Sequence, residues 1–225
     1  VPQLPVLVVP RIARRVPIDG NLNKSPWQGL APVALAASHG RDPGNATRSV
    51  QPTALRVCHD GERLYVAFAC ADRDVWGTHR GRNQPIYEEE VVEAFLAPSR
   101  DPRRYFELES SPFGAWWEGV IDNPDGQRGT MRTDLDWVCA GWERAVRVHD
   151  ASARGVAAEG WSAEWAIPFA ALGARAPLPG ERWRANFFRI ERPRGAPPEL
   201  SAWAPTFAEP AEFHRPDCFG VLELA

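Results

Sequence analysis

Residues 53–71 read TALRVCHDGERLYVAFACA, two runs of β-branched, aromatic and small apolar residues on either side of Asp60-Gly61. An Asp-Gly pair accepts the positive φ of a tight hairpin turn and is the strongest short-range signal for two paired strands. The pattern predicts strands over 53–58 and 64–71, with a two-residue turn that sets Cys58 opposite Arg63. Similar runs recur at 91–96, 105–110, 115–121, 145–149, 161–167, 182–190 and 220–224, each bounded by Pro, Gly, Asn or Asp. Ten or so short strands separated by turns predict a β-sandwich or barrel. Only 168–172 looks helical, as a single turn opened by Pro168. The first 17 residues carry Pro2, Pro5, Pro10 and Pro17, which favours an edge strand or a surface arm over a helix.

The chain has 225 residues, 44% hydrophobic and 24% charged, with 22 prolines and 18 glycines. That size buries a substantial core, and sandwiches of this length commonly form one domain, so the expectation is one domain over 1–225. The formal charge is −3, and of 26 basic side chains only Lys24 is lysine. The arginines are scattered and form no basic block, which argues against nucleic acid or anionic lipid as a partner. No apolar run reaches the roughly 18 residues needed to span a bilayer. Cys58, Cys70, Cys139 and Cys218 include no CxxC and no Cys/His pair at zinc-ligand spacing. The hairpin register also disfavours a Cys58–Cys70 disulfide. The residues themselves leave the compartment and the oligomeric state open.

Strand alternation organises the candidate site. Over 91–96, Val91, Glu93 and Phe95 share one face, and over 105–110, Tyr105, Glu107 and Glu109 share one face while Phe106 and Leu108 point to the core. If the two strands pair, Glu93, Glu107 and Glu109 converge, an arrangement that is costly without a ligand, a cation or an arginine. A buried carboxylate suits sugar recognition because it accepts two short hydrogen bonds from paired hydroxyls. Tyr87 stands at the lip of the first strand, where its ring can stack on the apolar face of a sugar. The plain alternative for Glu88, Glu89 and Glu90 is a solvated edge that guards against strand pairing.

The tryptophans divide. Trp161, Trp165 and Trp183 read as core with their indole N–H groups paired inside. Trp116 and Trp117 are adjacent on a strand, so one of them faces outward or lines a cleft. Trp76 and Trp117 are candidate stacking platforms or covers of an edge or partner surface, and Trp203 is either core or a wall of the site. His214 and Arg215 stand in the loop before the last strand, within reach of a site there.

The segments WRANFFRIE (183–191), SAWAPT (201–206) and FHRPDCFGVLEL (213–224), with IDG (18–20) and EEEVVEAFL (88–96), resemble the family 9 carbohydrate-binding modules and their stand-alone relatives. The resemblance runs nearly end to end in the same order. It implies an all-β, antiparallel β-sandwich with immunoglobulin- or jelly-roll-like layers, of the DOMON-like superfamily, that holds sugars without cutting them. In sugar-binding members one aromatic stands six residues before a glutamate and a second shortly before the FG of the last strand, and the pair sandwiches a terminal sugar ring. Those positions hold Tyr87, Glu93 and Phe213, and the polar contacts from the next strand fall at Glu107 and Glu109. The chain departs from the pattern there, with smaller rings for tryptophans and carboxylates for Arg- or Asn-type partners.

The same resemblance implies a saccharide ligand, a place outside the cytoplasm, and structural calcium, for which Asp72, Asp74, Asp122 and Asp125 offer hard oxygen ligands. The xylanase label of some members reflects a catalytic domain they accompany. A glycoside hydrolase using Glu93 with Glu107 or Glu109 is the enzymatic alternative, and a partner-binding sandwich is the structural one. Some sandwiches of the wider superfamily hold haem through methionine. Met131, the only methionine, lies in the polar stretch GTMRTD, which argues against such a ligand.

Overall fold

The structure, a computed structural model, describes residues 3–38, 49–99, 101–149 and 160–225. Fourteen strands form two sheets among these residues. The smaller sheet runs β10-β11-β5-β4-β2, built from β2 (Val33–Ala34), β4 (Thr53–His59), β5 (Arg63–Ala71), β10 (Glu143–His149) and β11 (Gly160–Pro168). The larger runs β1-β14-β12-β6-β7-β8-β9, from β1 (Val6–Val9), β6 (Val91–Ala97), β7 (Arg104–Ser110), β8 (Trp116–Asp122), β9 (Arg132–Asp134), β12 (Glu181–Glu191) and β14 (Gly220–Leu224). β13 (Glu199–Ala202) joins the far half of β12 and pairs with β3 (Ala36–Ala37).

Every anticipated strand is present within two residues of its expected ends, and the N-terminal segment supplies the edge strand β1. Three details differ from expectation. β1 pairs with β14 in parallel, so the larger sheet is mixed. The central hairpin closes through His59↔Leu64, so Cys58 faces Tyr65 and not Arg63. The reason is Asp60, whose carboxylate accepts from the backbone N–H of Glu62 and Arg63 at 2.8 Å and widens the turn. Cys70 still lies opposite Thr53, and all four cysteines are free thiols. Finally, besides the expected turn at Phe169–Leu172, short 3-10 turns occur at Trp27–Gly29, Ile86–Glu88 and Pro216–Cys218.

The inner faces of the sheets meet in one core. Val92, Ala94, Leu96, Leu108 and Phe187 of the larger sheet pack on Val57, Val66, Phe68, Trp161 and Trp165 of the smaller. Burial of so many large apolar side chains, each contributing roughly 1.5–3 kcal/mol, drives the sandwich together. The tryptophan expectation needs one correction. Trp183 donates its indole N–H to Glu181 at 3.2 Å, but among the described residues Trp161 and Trp165 have no hydrogen-bond partner for theirs. Trp165 packs edge-on against Phe68 and Trp142, rings that offer no lone pair.

Both outer faces are covered as well. The IDG segment crosses the smaller sheet, where Glu164 accepts from the backbone N–H of Asp19 and Gly20 at 2.9 Å and from the Trp27 indole at 2.7 Å. Gly20 sits at φ +76, with the Val146 backbone where a Cβ would go. On the larger sheet, Phe95, Tyr105, Phe188, Phe213 and Phe219 make a second apolar layer under the segment that precedes β14.

Candidate functional site

β6 and β7 pair with Glu93 directly opposite Glu109 and Phe95 opposite Glu107. Val92, Ala94, Leu96, Phe106 and Leu108 face the core, which leaves the three glutamates on the outer face. All three are buried, and one carboxylate oxygen from each lies within 4.8 Å of the other two. The convergence expected from pairing these strands is therefore present. The glutamates floor a cavity of about 450 Å³ whose lining also includes Tyr87, Trp117, Arg128, Met131, Arg192, Phe213 and His214.

The electrostatics follow from crowding like charges away from water. Burial, and then the neighbouring Glu107 charge, hold the Glu93 carboxyl well above the ordinary range, with Arg128 opposing. Glu109 is raised by burial and then by Glu93 and Glu107. Burial pushes Glu107 up to about 7, moderated by its interaction with Glu109 and by Arg128. Arg128 itself forms an ion pair with Glu212 at 2.8 Å, and its side chain is 65% exposed, so water screens it. Among the described residues, Glu109 Oε2 has no hydrogen-bond partner.

The walls come from loops and strand ends. Tyr87, in the turn before β6, is 44% exposed and offers a free ring face. Phe213 is nearly buried, because one face stacks on Phe188 with centroids 4.2 Å apart. Trp117 resolves the adjacent pair: it lines the cavity, whereas Trp116 packs at the core margin with the Arg144 guanidinium 3.7 Å from its ring centre. Gly119 makes room for the Trp117 ring, since a Cβ there would lie 2.8 Å from Trp117 Cη2. His214 is held by Tyr105, whose hydroxyl is 2.6 Å from Nδ1, and its backbone carbonyl accepts from Asn123 at 3.0 Å. Burial, reinforced by Arg128, lowers His214 to about 4, so it is neutral near pH 7.

Other candidates lie elsewhere. Trp203 belongs to the core, packed on Phe187 and over Gly220, and does not line the cavity. Trp76 stands outside it and donates its indole N–H to the Arg192 carbonyl, behind the wall. Arg215 pairs with Asp217 away from the floor.

Only Glu88 of the glutamate triplet is a solvated edge. Glu89 is buried and accepts from the Thr78 backbone N–H at 2.8 Å. Glu90 is fully buried beside Asp72 and Glu191, and burial first, then these neighbours, push it up to about 10. The four aspartates expected to hold calcium do not gather. Asp74 pairs with Arg194 and Asp122 with Arg104, while Asp125 accepts from the Gln127 backbone at 3.0 Å. Asp72 does meet two glutamates, but the Arg189 guanidinium is bonded to both Asp72 and Glu191 and supplies the positive charge there. That donor set does not fit a calcium ion as it stands.

Sequence reasoning missed Arg128, Glu212 and Arg192. Arg128 and Glu212 meet across 84 residues of sequence, and no local pattern marks such a pair. Two of the larger depressions, of about 880 and 900 Å³, flank the loops at 101–104 and 122–132. Their charges are largely matched already, Asp101 with Arg103 and Arg104 with Asp122, and neither contains the buried carboxyls.

The sequence profile of carbohydrate-binding family 9 matches residues 47–224, most of the chain. The chain belongs to carbohydrate-binding family 9. That family is non-catalytic, and this family 9 chain shares its fold with solved structures. A candidate carbohydrate-binding protein of Bacteroides uniformis superposes with a TM-score of 0.73 at 21% identity, covering 98% of this chain and 99% of that one. A family 9 module of Caldicellulosiruptor kristjanssonii, solved with cellotriose, superposes with a TM-score of 0.67 at 14% identity over 98% and 93% of the two chains. The module from that organism solved with glucose gives 0.64 at 14% identity, over 98% and 96%. A protein of Arthroderma benhamiae described as extracellular is 27% identical over 167 residues, 72% of this family 9 chain and 73% of its own length.

Proposed function

We propose that the chain, acting as a single domain, binds the end of a saccharide in the cavity floored by Glu93, Glu107 and Glu109, outside the cytoplasm, and leaves the sugar uncut. One observation carries this reading: in a family 9 chain, aromatic side chains and buried carboxyls line the same cavity. Tyr87 offers a free ring face for the C–H side of a pyranose, with Trp117 and Phe213 closing the remaining walls. The carboxyls meet the hydroxyl edge, where charge-assisted hydrogen bonds are short and strong. The family's solved complexes with cellotriose and glucose support a saccharide ligand, and the extracellular fungal relative supports the location.

The paired-glutamate hydrolase has less support. A retaining pair stands about 5–5.5 Å apart across the scissile bond, whereas these carboxyls lie side by side on neighbouring strands beneath the cavity. The test is calorimetric titration with glucose, cellobiose and cellotriose, with reducing-end release followed in the same mixtures. Saturable heat without release, weakened by Tyr87→Ala, is the expected result. Release that vanishes in Glu93→Gln would make the chain an enzyme, and silence across the panel would favour a partner-binding sandwich.

A further inference from the structure

The floor of the cavity carries more acid than a neutral sugar requires. Three carboxyls converge from β6 and β7, and a fourth, Glu212, stands at the rim. Two guanidiniums face them. Arg128 is paired with Glu212, and Arg192 lies toward the Tyr87 side, 3.4 Å from that residue's carbonyl. His214 engages Tyr105 through Nδ1. Among the described residues no cation is therefore bonded to the three floor carboxyls, and Glu109 Oε2 is buried with no donor. This differs from the buried Asp72 and Glu191 pair, where the chain supplies Arg189.

We propose that the cavity selects a sugar bearing a free amino group, whose ammonium sits among Glu93, Glu107 and Glu109 while its ring packs against Tyr87. The inference rests on the saccharide reading and adds the chemical class of the sugar. A primary ammonium has three N–H donors, and at the usual charge-assisted distance they spread three acceptors to about 4.6 Å from one another. The three oxygens lie within 4.8 Å of one another, close enough for one ammonium to reach all three. A lone divalent cation would have no use for an aromatic wall, and the exposed ring of Tyr87 stands beside the acid floor. An N-acetylated sugar loses the charge and adds bulk at the point where the carboxyls crowd.

The experiment is calorimetric titration at neutral pH with glucosamine, N-acetylglucosamine, glucose, Nα-acetyllysine amide and calcium chloride as separate probes. Glucosamine is expected to bind roughly tenfold or more tighter than glucose and N-acetylglucosamine, as one charge-assisted contact allows. The preference is expected to collapse in Glu109→Gln and in Glu93→Gln, with folding confirmed by circular dichroism. Glucose binding as tightly as glucosamine overturns the inference and leaves the saccharide reading standing. If none of the sugars binds, both fall. Acetyllysine amide or calcium binding as tightly as glucosamine also overturns it, because the ring would then contribute nothing.

Discussion

Glu107→Gln is expected to stabilise the free protein above neutral pH. Burial raises the Glu107 carboxyl from 4.5 to about 7 in the folded chain. A raised folded value means that relative stability is full below 4.5 and is lost as pH climbs through about 7. At about 1.4 kcal/mol per pH unit, ionised Glu107 costs the folded state about 3 kcal/mol at pH 8. Glutamine keeps the shape and cannot ionise, and its amide can donate to the neighbouring carboxylates. Allowing for imperfect amide geometry, the net gain should be about 1–3 kcal/mol. For a chain of this size that is a rise in Tm of about 3–10 °C. Calorimetric melting of wild type and variant at pH 8 and pH 4 is the assay. The gap should close at pH 4, where both side chains are uncharged. His214, whose lowered value makes stability fall as pH drops from 6.5 toward 4, acts equally in both proteins and cancels. A variant no more stable at pH 8, or stabilised equally at both pH values, would show that the floor is not strained by charge.

The other perturbations separate walls from scaffold. Tyr87→Ala should leave Tm nearly unchanged, because the ring is exposed, while saccharide affinity falls roughly tenfold; Phe213→Ala should also cost about 3 kcal/mol of stability, read by urea denaturation, through lost stacking on Phe188. Gly119→Ala sets a methyl 2.8 Å from Trp117 Cη2 and 3.2 Å from the Asp134 carbonyl, so the ring must move and titration should show weaker sugar binding; unchanged affinity would remove Trp117 from the wall. Arg189→Met leaves Asp72 and Glu191 without their cation and should cost about 3–5 kcal/mol in denaturant, an effect that an unchanged midpoint would refute. A thiol reagent should modify Cys218 first and all four cysteines only after unfolding, since Cys58, Cys70 and Cys139 are buried.

Most of the architecture was legible because strand alternation and turn residues are local. The hairpin at 53–71, the inward set Val92, Ala94 and Leu96, and the convergence of Glu93 with Glu107 and Glu109 all follow from a two-residue period and one pairing. What alternation does not encode is what lies over a sheet's outer face. Glu90 reads as part of an exposed acidic run, yet it is buried with Asp72 and Glu191, which arrive from distant strands. Trp203 and Trp117 are equally aromatic in sequence, and each ring lies over a glycine, Gly220 and Gly119; only the assembled strands show that the first joins the core and the second lines the cavity. Arg128 and Glu212 meet between two loops, and a pair of that kind leaves no periodic trace.

The alternation of β6 and β7 has a consequence for how such a site can change over time. Each strand gives one residue to the core and the next to the cavity floor, so the two sets are separated by a single position. Point substitution at 93, 107 or 109 can rewrite the chemistry presented to a ligand while the neighbours at 92, 94 and 108 go on holding the sheets together. Gain or loss of one residue in either strand would instead exchange the sets, driving carboxyls between the sheets and leucines into the cavity. Ligand preference on this scaffold is therefore free to drift by replacement and closed to change by insertion.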